Sequence, residues 1–309
     1  MNNYDLCILW NWEFDADFVG LLDAACSRQD LSVLQVTPDN LAERLNQLKA
    51  GWIDFRVFLD RASEDDDRFM PFVNWANQSG RYYINRYELA RRSCDKAALH
   101  YDLIRAGLHT PYSFILPPYA EQPEISGIDR DKLGERFIFK PVRGSGGEGV
   151  VMDLAELSQV MALRKKDQSR RHLLQACITP RMLDNRPAWF RVLYCRGKVY
   201  PCWWHTETHR YSIVTPDVTD RFGLEQLSQV TATLAAVSGL DIFSTEIAFT
   251  DDDLFVVVDY VNDQPDLRRQ SAAVDGVPDE IVLDIVERLA QLVAENCRTQ
   301  PARPGTAPG

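Results

Sequence analysis

The chain has 309 residues, 45% of them hydrophobic and 26% charged, enough for two or three subdomains with a true core. Its formal charge of −11 argues against a nucleic-acid or anionic-membrane surface, because phosphate contacts need basic patches, and no apolar run reaches the roughly 18 residues of a membrane span. Seven scattered cysteines (Cys7, Cys26, Cys94, Cys177, Cys195, Cys202, Cys297) lack C-x-x-C spacing and no basic leader opens the chain, which predicts free thiols in a cytoplasmic protein and no zinc site.

The first third predicts a small parallel α/β unit. Asp5 to Trp10 is a buried-strand run, followed by a helix from Ala16 to Arg28 with Phe18, Leu21, Leu22 and Ala25 on one face. Leu31 to Val36 and Trp52 to Leu59 are two further strands, with a helix over Leu41 to Leu48 between them. That alternation is the pattern of a parallel sheet. Phe69 to Ala76 then reads as a helix and Tyr82 to Asn85 as another strand. Trp10, Asn11, Trp12 and Glu13 fall at the carboxyl end of the first strand, where open α/β sheets bind ligands, although tryptophan there is as readily core. Ser93 reads as the N-cap of the next helix, whose apolar face is traced by Ala97, Tyr101, Ile104 and Leu108 and which Gly107 ends. Tyr112 to Leu116 is a strand, and Pro117 to Gly134 a polar linker.

The most informative stretch follows, RFIFKPVRGSGGEGVVM from Arg136 to Met152. An apolar strand ends at Lys140-Pro141. Four glycines in six residues come next (Gly144, Gly146, Gly147, Gly149, with Ser145), and then a β-branched run. Backbone without Cβ atoms can close its N–H groups over an anion. The string matches G-x-G-x-x-G, but that dinucleotide fingerprint requires a helix directly after the loop, where this chain has a strand. It also matches the glycine loop of protein kinases, yet neither H-R-D-L-x-x-x-N nor D-F-G occurs downstream. A functionless surface hairpin is disfavoured because two turn residues suffice for one. A phosphate-covering hairpin remains.

Lys-Pro-x-x-Gly-Ser-x-Gly-x-Gly-Val resembles the glycine loop of the ATP-grasp superfamily, which includes D-alanine–D-alanine ligases, glutathione synthetases and glutamate-adding peptide ligases. The resemblance runs from about Asp95 to Arg268 and implies an ATP-grasp fold, α/β and α+β, with an N-terminal Rossmann-like domain over 1–90 that holds part of the carboxylate substrate. An ATP-grasp domain would span 91–300, with a lid near 112–178, leaving a disordered tail at 301–309. The segment D-K-x-x-x-H-x-x-L-x-x-A-G-L-x-T-P is similar to the one carrying the first ATP-contacting lysine, here Lys96, and Lys140 would be the second. His172 to Ile178 resembles the strand leading to the adenine hinge. Gln175 would face the adenine edge there, and the backbone of Ala176 and Ile178 would read N6 and N1, although Ala176 replaces a common acid.

Phe190 to Tyr200 predicts a hairpin with a basic turn and is similar to the family's D-x-R strand, in which Arg191 would contact the transferred phosphate and Trp189 replaces the acid. Leu224 to Ser238 is an amphipathic helix closed by Gly239. His205 and His209 (H-T-E-T-H) are predicted extended, roughly 13 Å apart at strand rise, which argues against a metal pair. The two last strands, Asp241 to Phe249 and Leu254 to Pro265, resemble the closing hairpin that holds Mg²⁺, with Glu246 and Asn262 as ligands. Tyr260 fills the position of the middle acid. Asp259 or Asp263 must substitute, and since Asp259 and Asn262 point to opposite faces of a regular strand, Asp259 requires a bulge. Arg268 is the candidate for a substrate carboxylate, and Val282 to Asn296 a last amphipathic helix.

The resemblance implies an ADP-forming carboxylate–amine ligase that uses ATP and Mg²⁺ and passes through an acylphosphate, with small-molecule carboxylate and amine as substrates. Dimers are common in that superfamily. A small-molecule kinase and a non-catalytic ATP-binding protein are the alternatives, since fold alone does not fix function.

Overall fold

The structure, a computed structural model, describes residues 2–144 and 147–299. The chain opens with β1 (Asn2–Trp10), α1 (Ala16–Ser27), β2 (Val33–Val36), α2 (Leu41–Lys49), β3 (Ile53–Arg61), α3 (Met70–Ser79) and β4 (Tyr82–Ile84). The strands pair in parallel in the order β2-β1-β3-β4, as the alternating pattern predicts. Leu6 to Leu9 are fully buried because a central parallel strand is covered on both faces. Gly80 takes the left-handed conformation (φ 69°) that ends α3. Beyond β1, the Asp15 carboxylate accepts two hydrogen bonds from the Arg61 guanidinium, at 2.7 and 2.8 Å, with both residues buried.

Next come α4 (Tyr87–Ser93) and α5 (Lys96–Arg105). The N-cap of α5 is Asp95, whose carboxylate accepts the Ala98 N–H at 3.0 Å; Ser93, expected in that role, closes the preceding helix instead. The face of α5 also differs from expectation. Ala97, Leu99, His100 and Leu103 are buried while Tyr101 and Ile104 are exposed, because the His100 ring is drawn inward by the Tyr260 hydroxyl 2.7 Å away.

An antiparallel sheet follows from β5 (Ser113–Leu116), β6 (Phe137–Pro141), β7 (Val151–Leu154) and β8 (His172–Ala176), ordered β5-β8-β6-β7, with α6 (Arg130–Leu133) and α7 (Leu157–Lys166) between strands. The polar linker over 117–134 thus contains one helical turn. A two-residue hairpin, β9 (Met182–Leu183) with β10 (Arg186–Pro187), leads to the second antiparallel sheet. Its strands β11 (Trp189–Cys195), β12 (Lys198–His205), β13 (Arg210–Ile213), β14 (Ile242–Phe249) and β15 (Phe255–Asn262) stand in the order β13-β12-β11-β14-β15. Two helices, α8 (Pro216–Phe222) and α9 (Gln226–Ser238), connect β13 to β14, and α9 buries Leu227 and Leu234 in the core beneath that sheet. The H-T-E-T-H segment is a tight turn and not an extended strand: His205 pairs with Arg210, the His209 N–H donates to the His205 carbonyl, and His209 stacks on Trp204.

Residues up to Tyr87 form one compact unit together with those from Asp266 onward, and Glu88–Pro265 form the other. The last helix, α10 (Asp279–Thr299), packs on α1, β1 and β3, so its apolar stripe completes the first unit, whereas the resemblance placed it within a domain over 91–300. The expected tail at 301–309 lies outside the described residues. No helix among the described residues is long and apolar enough to cross a membrane.

Burial sets one pH response. His172 is stacked on Phe139 in the β5–β8 sheet, and its desolvation holds the imidazole below the usual histidine range despite Asp167 nearby. His100 is held down in the same way, with Lys140 adding to the effect. The unfolded chain then binds more protons than the folded one as pH falls below about 6.5, so stability is full above that pH and declines below it. Chemical denaturation midpoints between pH 7 and 5 should fall, and less steeply in His172→Phe.

Candidate functional site

The glycine segment joins β6 to β7 as the expected hairpin. Gly147 and Gly149 take positive φ (77° and 72°), which only glycine adopts without strain. A Cβ at Gly149 would stand 2.9 Å from the Pro141 ring, so Gly149→Ala is expected to distort the loop and weaken any anion held under it, with a small loss of thermal stability. Ser145 and Gly146 lie outside the described residues. Lys96, the first residue of α5, reaches the loop and donates to the Gly144 carbonyl at 2.9 Å. Lys140, at the end of β6, is buried. Its ammonium is 3.5 Å from the Val258 carbonyl and lies over the Tyr260 ring at 5.8 Å. Desolvation holds it below the usual lysine range; Asp259 and Glu246 oppose this and Lys96 reinforces it.

The other side of the site is a row across three strands. Arg191 on β11 pairs with Glu246 on β14, which pairs with Asp259 on β15. Ser244 pairs with Asn262, so two steps along β14 are matched by three along β15. That is the bulge required to bring Asp259 and Asn262 to one face. A second register shift lies between Glu246 and Ile247. The Glu246 carboxylate accepts from Arg191 Nη1 and from the Trp189 indole Nε1, each at 3.0 Å. Arg191 Nη2 also donates to Ser244 Oγ, and its guanidinium covers the Trp204 ring at 4.9 Å. Burial pushes the Glu246 carboxyl up; Arg191 and the Trp189 N–H oppose that, and Asp259 adds to it. Asp263 instead accepts from the Cys94 thiol at 3.0 Å. Two carboxylates and an amide, faced by a guanidinium and an ammonium, supply hard oxygen donors for a cation beside positive groups for an anion.

Gln175 on β8 is fully buried. The Ser113 hydroxyl donates to the Pro111 carbonyl and accepts from Gln175 Nε2 at 3.1 Å, which fixes the amide and leaves Oε1 without a partner among the described residues. The Ala176 N–H is committed to the Tyr112 carbonyl, leaving its own carbonyl as the group to offer. Ile178 packs with Trp189 on the apolar patch of Ala248, Val256 and Val258.

No family model matches the sequence, and no curated protein matches it. Solved structures do. A RimK domain ATP-grasp protein from Sphaerobacter thermophilus is 18% identical with a TM-score of 0.63, over 94% of this chain and 99% of that one. D-alanine–D-alanine ligase from Bacillus anthracis, solved with ATP, is 15% identical with a TM-score of 0.63, over 97% and 98%. The macrocyclase MdnC from Microcystis aeruginosa, solved with its precursor peptide MdnA, is 9% identical with a TM-score of 0.65, over 94% and 99%. The chain has the ATP-grasp fold.

Within the ATP-grasp fold of this chain, the departures in sequence acquire partners. Tyr260 is buried in the core, with its hydroxyl 2.7 Å from His100 Nδ1 and 3.4 Å from Gln175 Nε2. Trp189 holds Glu246. Arg268 belongs to the first unit and not to the unit that carries Lys140 and Glu246. Its guanidinium is paired with Asp266 and Asp275, at 2.7 and 3.0 Å, and lies over Trp12 and Phe14. The hydrogen bond from Trp189 and the Tyr260–His100–Gln175 network were not legible in the sequence. The only signal was an aromatic at two positions where the resemblance calls for an acid.

Proposed function

We propose that the chain is an ATP-dependent carboxylate–amine ligase, forming ADP through an acylphosphate. The observation that carries this is the Arg191–Glu246–Asp259 row, with Asn262 brought alongside by the bulge and Lys140 buried next to it. Glu246, Asp259 and Asn262 fit Mg²⁺, which usually takes one or two carboxylates and completes its shell with phosphate oxygens. When bound there, Mg²⁺ would neutralise charge on the triphosphate. Lys140 and Lys96 would hold phosphate oxygens under the glycine hairpin, with Gly144, Gly147 and Gly149 supplying close backbone, and the unpaired Gln175 Oε1 would accept from the adenine amino group. Ala176 and Ile178 would offer backbone to the base. A carboxylate oxygen of the first substrate attacks the γ-phosphorus and ADP leaves; the amine then attacks the acyl carbon, loses a proton, and phosphate departs. Arg191 faces the transferred phosphoryl group, so positioning and charge stabilisation carry the catalysis.

Choice of the middle ligand tests the arrangement. Asp259→Ala should reduce Mg²⁺-dependent ADP formation by about 10²-fold or more, on the scale of losing one preorganised charge contact. Asp263→Ala should leave it within a few-fold. The opposite ranking would contradict the reading of the bulge. ATP binding without turnover across a broad panel of acids and amines would favour the non-catalytic alternative, which the tyrosine at position 260 motivates.

A further inference from the structure

Both oxygens of Glu246 are held from β11, and the two holds differ in kind. Arg191 brings a charge to Oε1, whereas Trp189 brings a neutral N–H to Oε2. Trp189 and Arg191 stand two residues apart on one strand and share a face. The Trp189 ring is half-buried and packs on Ala248, Val256 and Val258, so the direction of its N–H is fixed by packing. An indole can only donate, so it cannot act as a metal ligand, and it leaves the carboxylate its full negative charge. The last torsion of a glutamate is soft and broad, so a carboxylate held at one oxygen alone can still rotate.

We propose that Trp189 is a positioning residue that fixes the Glu246 carboxylate for a divalent cation. This rests on Glu246 being a metal ligand, as in the proposed function. In that reading Arg191 turns to the transferred phosphoryl group during reaction, and its hold on Glu246 is then shared with substrate. The hydrogen bond from Trp189 is not, so it keeps the ligand oriented while the arginine is engaged elsewhere. Orientation is settled on folding and need not be imposed when the cation arrives.

The test is calorimetric titration of the full chain with ATP, once with saturating Mg²⁺ and once with EDTA. Trp189→Phe keeps a ring on the apolar patch and removes the donor. It should weaken binding in Mg²⁺ by about 10–100-fold, the usual effect of losing a partner that orients a metal ligand, and leave binding in EDTA unchanged. Trp189→Phe placed on Glu246→Gln should add little, because both changes act through one carboxylate. Equal weakening with and without Mg²⁺, or full additivity in the double variant, overturns the proposal and makes Trp189 a packing residue. Trp189→Tyr, which also retains a ring, carries the same pair of titrations should Trp189→Phe unfold. A wild-type protein that binds ATP equally with Mg²⁺ and EDTA would overturn the metal reading itself, a different result from a Trp189 effect that ignores the metal.

Discussion

Lys140→Ala is expected to abolish measurable ATP turnover and to weaken ATP binding by about 10²-fold, while leaving the folded protein as stable as before. The ammonium is one of two placed at the glycine hairpin, and it is the buried one, so little water screens its interaction with an incoming phosphate. Charge-assisted hydrogen bonds are worth about 1.5–3 kcal/mol, and the value rises when the group is desolvated beforehand. In the protein alone the same burial works against the lysine, since desolvation is the largest influence on it and acts against the charged form. Its long contact with the Val258 carbonyl, at 3.5 Å, is a poor substitute for water. Removing it relieves that cost, so the thermal midpoint should hold or rise, the usual relation between a strained site and fold stability. Lys96→Ala should have a smaller effect, because that lysine is only half-buried and water screens it more than Lys140. A Lys140→Ala protein that retained wild-type affinity would remove the hairpin from the site.

The second large effect concerns the first unit. Asp15→Ala is expected to destabilise the protein by about 3–5 kcal/mol, the range for breaking a buried ion pair by deleting one partner. Asp15 and Arg61 are 2% and 6% exposed, and the carboxylate receives two of the guanidinium's donors in a bidentate pair. The Arg61 guanidinium also lies 5.3 Å from the centre of the Phe18 ring. Replacing both partners by hydrophobic residues, as in Asp15→Leu with Arg61→Met, should recover most of the loss, since both charges of the buried pair are then removed together. Urea denaturation of the three variants measures this. A single variant within about 1 kcal/mol of wild type would mean that water or a neighbour solvates Arg61.

Legibility followed the range over which each feature is encoded. The Leu6–Leu9 run and the glycine segment are local signals, and both became the elements they predict. The bulge in β15 was readable for another reason: Asp259 and Asn262 have the wrong spacing parity for one face, so the expectation that both serve one cation called for an extra residue, and the register shift is there. Features that depend on partners distant in sequence were misread. The buried face of α5 turns on Tyr260, and a period count cannot weigh a hydrogen bond to a strand 160 positions away. The α10 stripe is evident in sequence, but nothing in a stripe names the surface that it covers. H-T-E-T-H reads as a strand from its threonines, yet His209 takes a positive φ of 54° and stacks on Trp204, which closes a turn.

Product analysis in the presence of hydroxylamine tests the central claim most directly. The protein is incubated with Mg·ATP and pooled amino acids and dipeptides, and nucleotides and hydroxamates are quantified. An acylphosphate at this site predicts ADP, phosphate and a hydroxamate formed in proportion, all absent in Lys140→Ala. AMP and pyrophosphate would contradict the account, because the carboxylate would then be activated at the α-phosphorus and not at the γ-phosphorus that Arg191 is proposed to face.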